Sequence, residues 1–123
     1  MKATAKGLKR IINAFTYSWH GFVAACHSEA AFRQDLAVFV IFSALALFLN
    51  LPLFHKLVLI SCLLFILFAE LVNTAIEAVI DRISEEYHPL SKKAKDIGSL
   101  LVLLSFINAF LCWSTIIFIN FIG

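Results

Sequence analysis

The sequence predicts an all-α integral membrane protein with one surface helix followed by three membrane-spanning helices. Of its 123 residues, 62% are hydrophobic and only 15% are charged, and the mean hydropathy is +0.94. This composition lies far outside that of a soluble domain. Three long apolar runs follow an amphipathic N-terminal segment, and most charged residues fall between these runs. Together these observations favour a single membrane domain over residues 1–123.

Residues 8–27 are predicted to form an amphipathic helix that lies on the membrane surface. Apolar residues recur at three- and four-residue steps from Leu8 to Cys26, whereas polar residues such as Arg10 and Tyr17 occupy the other face. A helix this polar on one side lies in the interface and does not span the bilayer. Taken by itself, the pattern also fits a simple membrane anchor.

The first two predicted spans cover residues 30–50 and 52–83. The uncharged run Leu36–Leu49 is too short for a hydrocarbon core of about 30 Å, so the span must begin nearer residue 30. In the second span, Leu51–Glu70 provides the roughly 20 residues needed to cross. Its remaining residues should project beyond the bilayer.

The third predicted span covers residues 91–122. Pro89 disfavours helical conformation in the residue before it, and Ser91 is of a type that caps helix N-termini. The uncharged run Ile97–Ile122 then supplies the apolar residues of the span.

Positive residues predict the orientation of the chain. They concentrate in the N-terminal segment and in the connection 82–96, whereas the first connection contains only Lys56. The positive residues of these two segments are Lys2, Lys6, Lys9, Arg10, Arg82, Lys92, Lys93 and Lys95. By the positive-inside rule, the N-terminus and the 82–96 connection are cytoplasmic, and the C-terminus is external.

A polar stripe in the second span predicts the functional site. Glu70, Asn73, Glu77 and Asp81 recur at helical spacing and therefore project from one side of one helix. Such a stripe on an apolar helix is costly unless it binds cations, faces water or takes part in proton chemistry. The polar stripe therefore indicates that this helix carries functional residues.

Glu70 and Glu77 should have separate tasks. They lie about 10.5 Å apart along the helix axis, too far to ligate one ion together. Because Mg²⁺ usually takes one or two carboxylates besides water and phosphates, Glu77 with a second carboxylate such as Glu29 fits a magnesium site. Glu70 lies nearer the apolar boundary, where a less solvated carboxylate can act as a base on a lipid headgroup.

The 82–96 connection could supply a nucleotide site. Lys95 can donate to phosphate oxygens, and Glu86, His88 and Asp96 can form hydrogen bonds with a sugar or base. Arg10 and Tyr17 on the surface helix could add to this site.

Other interpretations of the same residues remain open at this stage. The sequence contains no glycine-rich phosphate-binding motif, and a net charge of +2 argues against nucleic acid as a partner. The stripe could instead line an ion pathway or join helices. Asp81 and Arg82 are typical of an interfacial helix end, and the lysines of the connection are first of all determinants of topology.

Four segments resemble the bacterial diacylglycerol kinases, small three-span membrane enzymes unrelated to soluble kinases. They are Glu29–Gln34 (EAAFRQ), Glu70–Arg82 (ELVNTAIEAVIDR), Glu86–His88 (EYH) and Lys95–Ser99 (KDIGS). The resemblance covers nearly the whole chain. It implies a homotrimer with sites shared between subunits, located in the bacterial inner membrane. It also implies Mg²⁺-dependent transfer of the γ-phosphate of ATP to the free hydroxyl of diacylglycerol, giving phosphatidic acid.

The resemblance also implies roles for individual residues. Glu70 corresponds to the general base, Asn73 to the polar partner that orients the reacting groups, and Glu29 and Glu77 to the magnesium ligands. The positions that match nucleotide contacts are Arg10, Tyr17, Glu29, Glu77, Glu86, Tyr87, His88, Lys95 and Asp96. The positions that match lipid contacts are Ala14, Phe15, Thr16, Tyr17, Ser18, Trp19, Ala31, Phe32, Arg33, Gln34, Asp35, Glu70, Ser99 and Trp113.

The chain departs from the family pattern at a few positions. Asp35 stands where a glutamate is usual, and Asn13 and His20 replace basic residues. The segment Tyr87–Leu90 resembles the related undecaprenol kinases, whereas the Gly98–Ser99 pair is more similar to the diacylglycerol branch. One alternative is therefore an undecaprenol kinase with the same site. The other, which follows from the polar stripe, is a noncatalytic membrane adaptor or cation conduit.

Overall fold

In a computed structural model, residues 6–123 form four helices joined by short connections, which confirms the predicted all-helical fold. The helices are α1 (Leu8–Ser28), α2 (Ala30–Phe48), α3 (Leu53–Ile83) and α4 (Pro89–Ile117), and a π-helical turn (Phe118–Ile122) extends α4. Lys2, one of the positive residues used to predict the orientation, lies outside the described residues.

Three of these helices are long and apolar enough to cross a membrane, as the sequence predicts. α2 has 19 residues, α3 has 31, and α4 with its terminal turn has 34. At 1.5 Å per residue α3 is about 46 Å long, which exceeds a hydrocarbon core of about 30 Å. One end of α3 therefore projects beyond the apolar layer.

α3 is the central helix, because it packs against α2 on one side and α4 on the other. The buried apolar residues form three clusters along it. The cluster nearest the start of α3 contains Ala46, Leu51, Leu59 and Ile116, the next contains Cys62, Leu63, Ile66 and Ala109, and the last contains Ala25, Phe32 and Leu67. The last cluster attaches the end of α1 to the spans beside Leu67, one turn before Glu70.

The junction between α1 and α2 is a sharp corner at Glu29. Glu29 has extended backbone angles (φ −123°, ψ 109°), and its N–H donates to the carbonyl of Ala25 at 3.0 Å. Arg33 reaches back and donates to the carbonyl oxygens of Cys26 at 2.6 Å and His27 at 3.3 Å. These bonds satisfy carbonyls that the end of α1 leaves free, and so they hold Glu29 between the two helices.

α4 begins at Pro89, two residues before the predicted start, and the predicted serine cap at Ser91 is wrong. His88 is the N-cap residue, and its ring Nδ1 accepts a hydrogen bond from the Leu90 N–H at 3.1 Å. Pro89 occupies the first helical position, where its lack of an N–H carries no penalty. The proline thus starts this helix as well as ending the connection before it.

Trp113 connects the three spans toward the end of the bundle where α3 begins. Its indole Nε1 donates to the carbonyl of Leu59 in α3 at 3.3 Å. Its ring meets the ring of Phe42 in α2 edge to face, with the centroids 5.5 Å apart. Since water is scarce at this depth, an indole N–H needs a protein partner, and the Leu59 carbonyl provides it.

We expect Trp113→Phe to lower the free energy of unfolding by about 1 kcal/mol, because it removes this interhelical hydrogen bond. Trp19→Phe is the matched control, since the Trp19 side chain is 63% exposed on α1. Denaturant titration in detergent micelles measures both variants. Equal losses of stability in the two variants would contradict the proposed role of the Trp113 hydrogen bond.

Candidate active site

Four carboxylates gather where the α1–α2 corner meets α3. Glu70 is only 7% exposed, and its charged neighbours are Asp35, Glu29 and Glu77. Asp35 approaches Glu70 from the second turn of α2. Carboxylates this close repel one another unless a cation or a proton lies among them. The corner therefore brings Glu29 and Asp35 to the stripe that the sequence places on α3.

Asp35 is a predicted lipid-contacting residue that lies beside the polar stripe of α3. The sequence assigns it to the lipid site by resemblance, and the structure places it beside Glu70. Its Oδ2 atom is buried and has no hydrogen-bond partner among the described residues. A buried acceptor without a donor is costly.

Asn73 lies at the contact between α3 and α4, one turn beyond Glu70. Its Oδ1 atom is buried and unpaired within residues 6–123. The residue opposite is Gly98 of α4, and a Cβ atom built on Gly98 would overlap this oxygen. The polar stripe on α3 is therefore in direct contact with α4 at Asn73.

Lys95 on α4 reaches the far end of the same stripe. Its Nζ lies 2.9 Å from Oδ1 of Asp81, and Glu77 is a further acidic neighbour. The sequence places Asp81 on the polar stripe but gives it no individual role, and favours an interfacial helix end for Asp81 and Arg82. The i+4 spacing of Asp81 from Glu77 was the available signal, but its pairing with a lysine depends on how the two helices pack.

A polar groove of about 430 Å³ lies beside Lys95, where α3 and α4 are connected. Its walls include the predicted nucleotide-site residues Glu86, Tyr87, His88, Lys95 and Asp96. The Glu86 N–H donates to the Ser84 hydroxyl at 3.0 Å, and Asp96 pairs with Lys92 at 2.6 Å. The predicted residues of this segment are thus brought together, beside the pair of Lys95 and Asp81.

Two other predicted nucleotide residues lie elsewhere in the protomer. Arg10 and Tyr17 are exposed on α1 and do not line this groove. α1 attaches to the bundle through its last turns, around Phe22 and Ala25, so its first half extends away from the packed spans. Within one protomer, the site lacks these two side chains.

The lipid-site residues predicted on α1 form an exposed surface. Phe15 is 75% exposed and Trp19 is 63% exposed, and Ala14 is exposed as well. The hydroxyls of Thr16 and Ser18 donate to the carbonyl oxygens of Ile12 and Ala14 within the helix. Because their polar groups are satisfied locally, this surface of α1 is largely apolar.

The other predicted lipid residues occupy varied positions. Ala31 and Gln34 are exposed on the first turns of α2, whereas Phe32 is only 1% exposed and belongs to the core. Ser99 is exposed on α4. Trp113 lies about 21 Å further along that helix, so the two residues cannot touch the same headgroup.

Glu29 and Glu77 have the chemistry expected of magnesium ligands. Both are half-buried, Glu29 at the α1–α2 corner and Glu77 two turns beyond Glu70, and neither belongs to an ion pair in the part of the chain that the structure describes. No three His, Cys, Asp or Glu side chains within residues 6–123 are arranged to hold a metal ion by themselves. A magnesium ion needs only one or two protein carboxylates when nucleotide phosphates complete its shell, so this pair fits.

The fold and the site together define a class of protein. A three-span bundle carries a buried carboxylate with acidic neighbours on its central helix, and a lysine paired with Asp81 lines a polar groove at the end of that helix. This is the arrangement of a membrane phosphotransferase that works where the bilayer meets water.

Comparison with known proteins gives the family. The sequence model of the family described as "Prokaryotic diacylglycerol kinase" matches residues 16–117. The diacylglycerol kinase of Escherichia coli (strain K12) is 40% identical over 121 residues, which cover 98% of this chain and 99% of that protein. The Pseudomonas aeruginosa diacylglycerol kinase is 44% identical over 111 residues, 90% of each chain. The chain belongs to the prokaryotic diacylglycerol kinase family, and it is a lipid kinase.

We expect Asp81→Asn to lower kcat about tenfold, because Lys95 loses the partner that positions its Nζ atom. Both side chains are about half exposed, so the stability of the protein should change little. Steady-state kinetics and thermal unfolding measure the two effects. In a Lys95→Met background, Asp81→Asn should have no further effect on kcat, and an equal further loss would contradict this coupling.

Proposed function

We propose that this chain transfers the γ-phosphate of ATP to the free hydroxyl of diacylglycerol, giving phosphatidic acid and ADP. The observation that carries this proposal is the position of Glu70. Its carboxylate is buried among acidic neighbours, on the same polar stripe of α3 whose far end, Asp81, pairs with Lys95 at the groove. Both relatives compared above are diacylglycerol kinases by name, which supports diacylglycerol as the acceptor.

In the proposed reaction, Glu70 is the general base. The lipid enters sideways from the bilayer, and its hydroxyl group meets the Glu70 carboxylate. Glu70 accepts the hydroxyl proton as the oxygen attacks the γ-phosphorus in line. The bond from this phosphorus to the β,γ-bridging oxygen breaks, ADP leaves, and Glu70 returns the proton to water. No covalent intermediate on the protein is needed.

The remaining residues position and neutralise the phosphates. Lys95 donates to phosphate oxygens, held in place by Asp81. Asn73 orients the reacting groups beside Glu70. Glu29 and Glu77 would hold Mg²⁺, which when bound supplies positive charge against the phosphates. Positioning and electrostatics therefore account for most of the proposed acceleration.

We also propose that the functional form is a homotrimer in the inner membrane, with the N-terminus and the α3–α4 connection cytoplasmic. Three thin helices cannot enclose both ATP and a lipid, and Arg10 and Tyr17 do not line the groove of their own protomer. Large apolar side chains along α2 and α4, such as Val40 and Phe110, are also exposed. Neighbouring copies could cover such surfaces and bring α1 to the site.

A phosphate-transfer assay tests the proposed function. The purified protein in mixed micelles receives MgATP with diacylglycerol, with undecaprenol, or with no lipid alcohol. We expect rapid labelling of diacylglycerol from γ-labelled ATP. Faster labelling of undecaprenol would contradict the proposed acceptor but keep the reaction type. No ATP consumption with either lipid, together with cation flux in vesicles, would contradict kinase activity altogether.

A further inference from the structure

Gly98 is a point of close approach between α4 and the polar stripe of α3. Gly98 is buried in α4. A Cβ atom built there would overlap Oδ1 of Asn73 and lie 3.2 Å from its Cγ. The third nearest atom, the Asn73 Cα at 3.7 Å, is at an ordinary contact distance. The space for a side chain at position 98 is thus occupied by one group, the Asn73 amide.

The backbone of α4 does not require glycine at this position. Among the described residues, only Gly7 has a positive φ angle, so Gly98 has a conformation open to any residue. Alanine also favours a helix interior more than glycine does. Local helix stability would therefore select alanine at position 98, and the reason for glycine is the contact with Asn73.

This contact determines which end of the Asn73 amide is available. Oδ1 is sequestered against Gly98 and has no hydrogen-bond partner, whereas Nδ2 is not among the sequestered atoms. A Cα–H group close to an oxygen forms a weak hydrogen bond, which helps to hold the amide in this orientation. The Nδ2 donor group of Asn73 is then the part of the amide that is available to the site.

We propose that Gly98 is a positioning residue that acts through Asn73. Because it has no side chain, it admits the Asn73 carbonyl oxygen against α4 and leaves Nδ2 to face the reacting groups. Phosphoryl oxygens are acceptors only, so a fixed N–H donor suits them and a carbonyl oxygen would repel them. This inference rests on the proposed function, in which Asn73 orients the groups that react.

The variant Gly98→Ala tests this proposal, with Gly21→Ala as the matched control. Gly21 lies inside α1, and a Cβ built there meets nothing within 4 Å. We expect Gly98→Ala to lower kcat for diacylglycerol phosphorylation about 100-fold, since small misplacements of reacting groups cost this much. The KM for MgATP should stay within about threefold. Gly21→Ala should match the wild type in both constants.

A double variant separates an effect through Asn73 from a general separation of α3 and α4. With Asn73→Ala, the amide that fills the space is gone, and only the Cα of residue 73 remains among the three nearest atoms. Adding Gly98→Ala to Asn73→Ala should therefore change kcat by less than about twofold, whereas independent effects would multiply. This comparison also decides the matter if Gly98→Ala alone fails to assemble.

The outcomes are distinct from those that test the proposed function. A wild-type protein that phosphorylates no lipid alcohol would overturn the proposed function itself. An active wild type with an equally active Gly98→Ala variant would overturn only the role of Gly98. So would a further large loss when Gly98→Ala is added to Asn73→Ala.

Discussion

Glu70→Gln is expected to lower kcat about 1,000-fold, because the amide cannot accept the proton of the lipid hydroxyl. The substitution keeps the shape of the side chain, so packing around this buried position should change little. It also removes one negative charge from a cluster that contains Asp35, Glu29 and Glu77. The variant should therefore assemble at least as well as the wild type.

Measurements of assembly and of MgATP affinity distinguish the loss of the general base from the loss of the fold in this variant. Thermal unfolding and size-exclusion chromatography report assembly, and equilibrium binding reports MgATP affinity. We expect both to stay near wild-type values, with MgATP affinity changed less than about threefold. Near-normal turnover by Glu70→Gln would show that Glu70 is not the general base.

Glu77→Gln makes the same chemical change two turns further along the same helix and should give a different result. It removes a negatively charged ligand from the proposed magnesium site, so the apparent affinity for MgATP should fall at least about tenfold. The magnesium concentration needed for half-maximal activity should rise in parallel. At saturating Mg²⁺ and ATP, part of the lost activity should return.

The comparison of these two glutamine variants assigns the two carboxylates. Glu70→Gln should stay inactive at any magnesium concentration, whereas Glu77→Gln should respond to added magnesium. An unchanged magnesium titration in Glu77→Gln would show that Glu77 does not ligate the metal. Identical kinetic defects in both variants would contradict the separate tasks that their spacing predicts.

The sequence predicted the elements of this fold well because the necessary signals are local. Apolar runs of span length and the amphipathic period of α1 depend on neighbouring residues only. The polar stripe on α3 follows from helical geometry in the same way. The start of α4 was misplaced because proline signals both the end of a connection and the first position of a helix.

The contacts between helices could not be predicted from the residues. Periodicity gives the face on which Glu70 or Lys95 lies, but not the rotation and depth at which two helices pack. The pairing of Lys95 with Asp81 and the position of Asp35 beside Glu70 depend on that packing. The same holds for the contact between Gly98 and Asn73.

The pairing of Glu29 with Glu77 was predicted by a different route. Chemical reasoning about magnesium required a second carboxylate for Glu77 and offered Glu29, and the resemblance implies the same pair. In the structure both are acidic neighbours of Glu70, Glu29 from the corner between α1 and α2 and Glu77 from α3. Whether this pair holds magnesium remains a prediction that the Glu77→Gln titration addresses.

The most direct test of the account is the stoichiometry of phosphate transfer in a single turnover. Wild-type protein and Glu70→Gln, each in excess over γ-labelled MgATP, are mixed with diacylglycerol in micelles and quenched over time. The account predicts one labelled phosphatidic acid for each ADP formed by the wild type, and almost no product from the variant at equal bound ATP. ADP formed together with free phosphate and no labelled lipid, or equal rates in the two proteins, would contradict it.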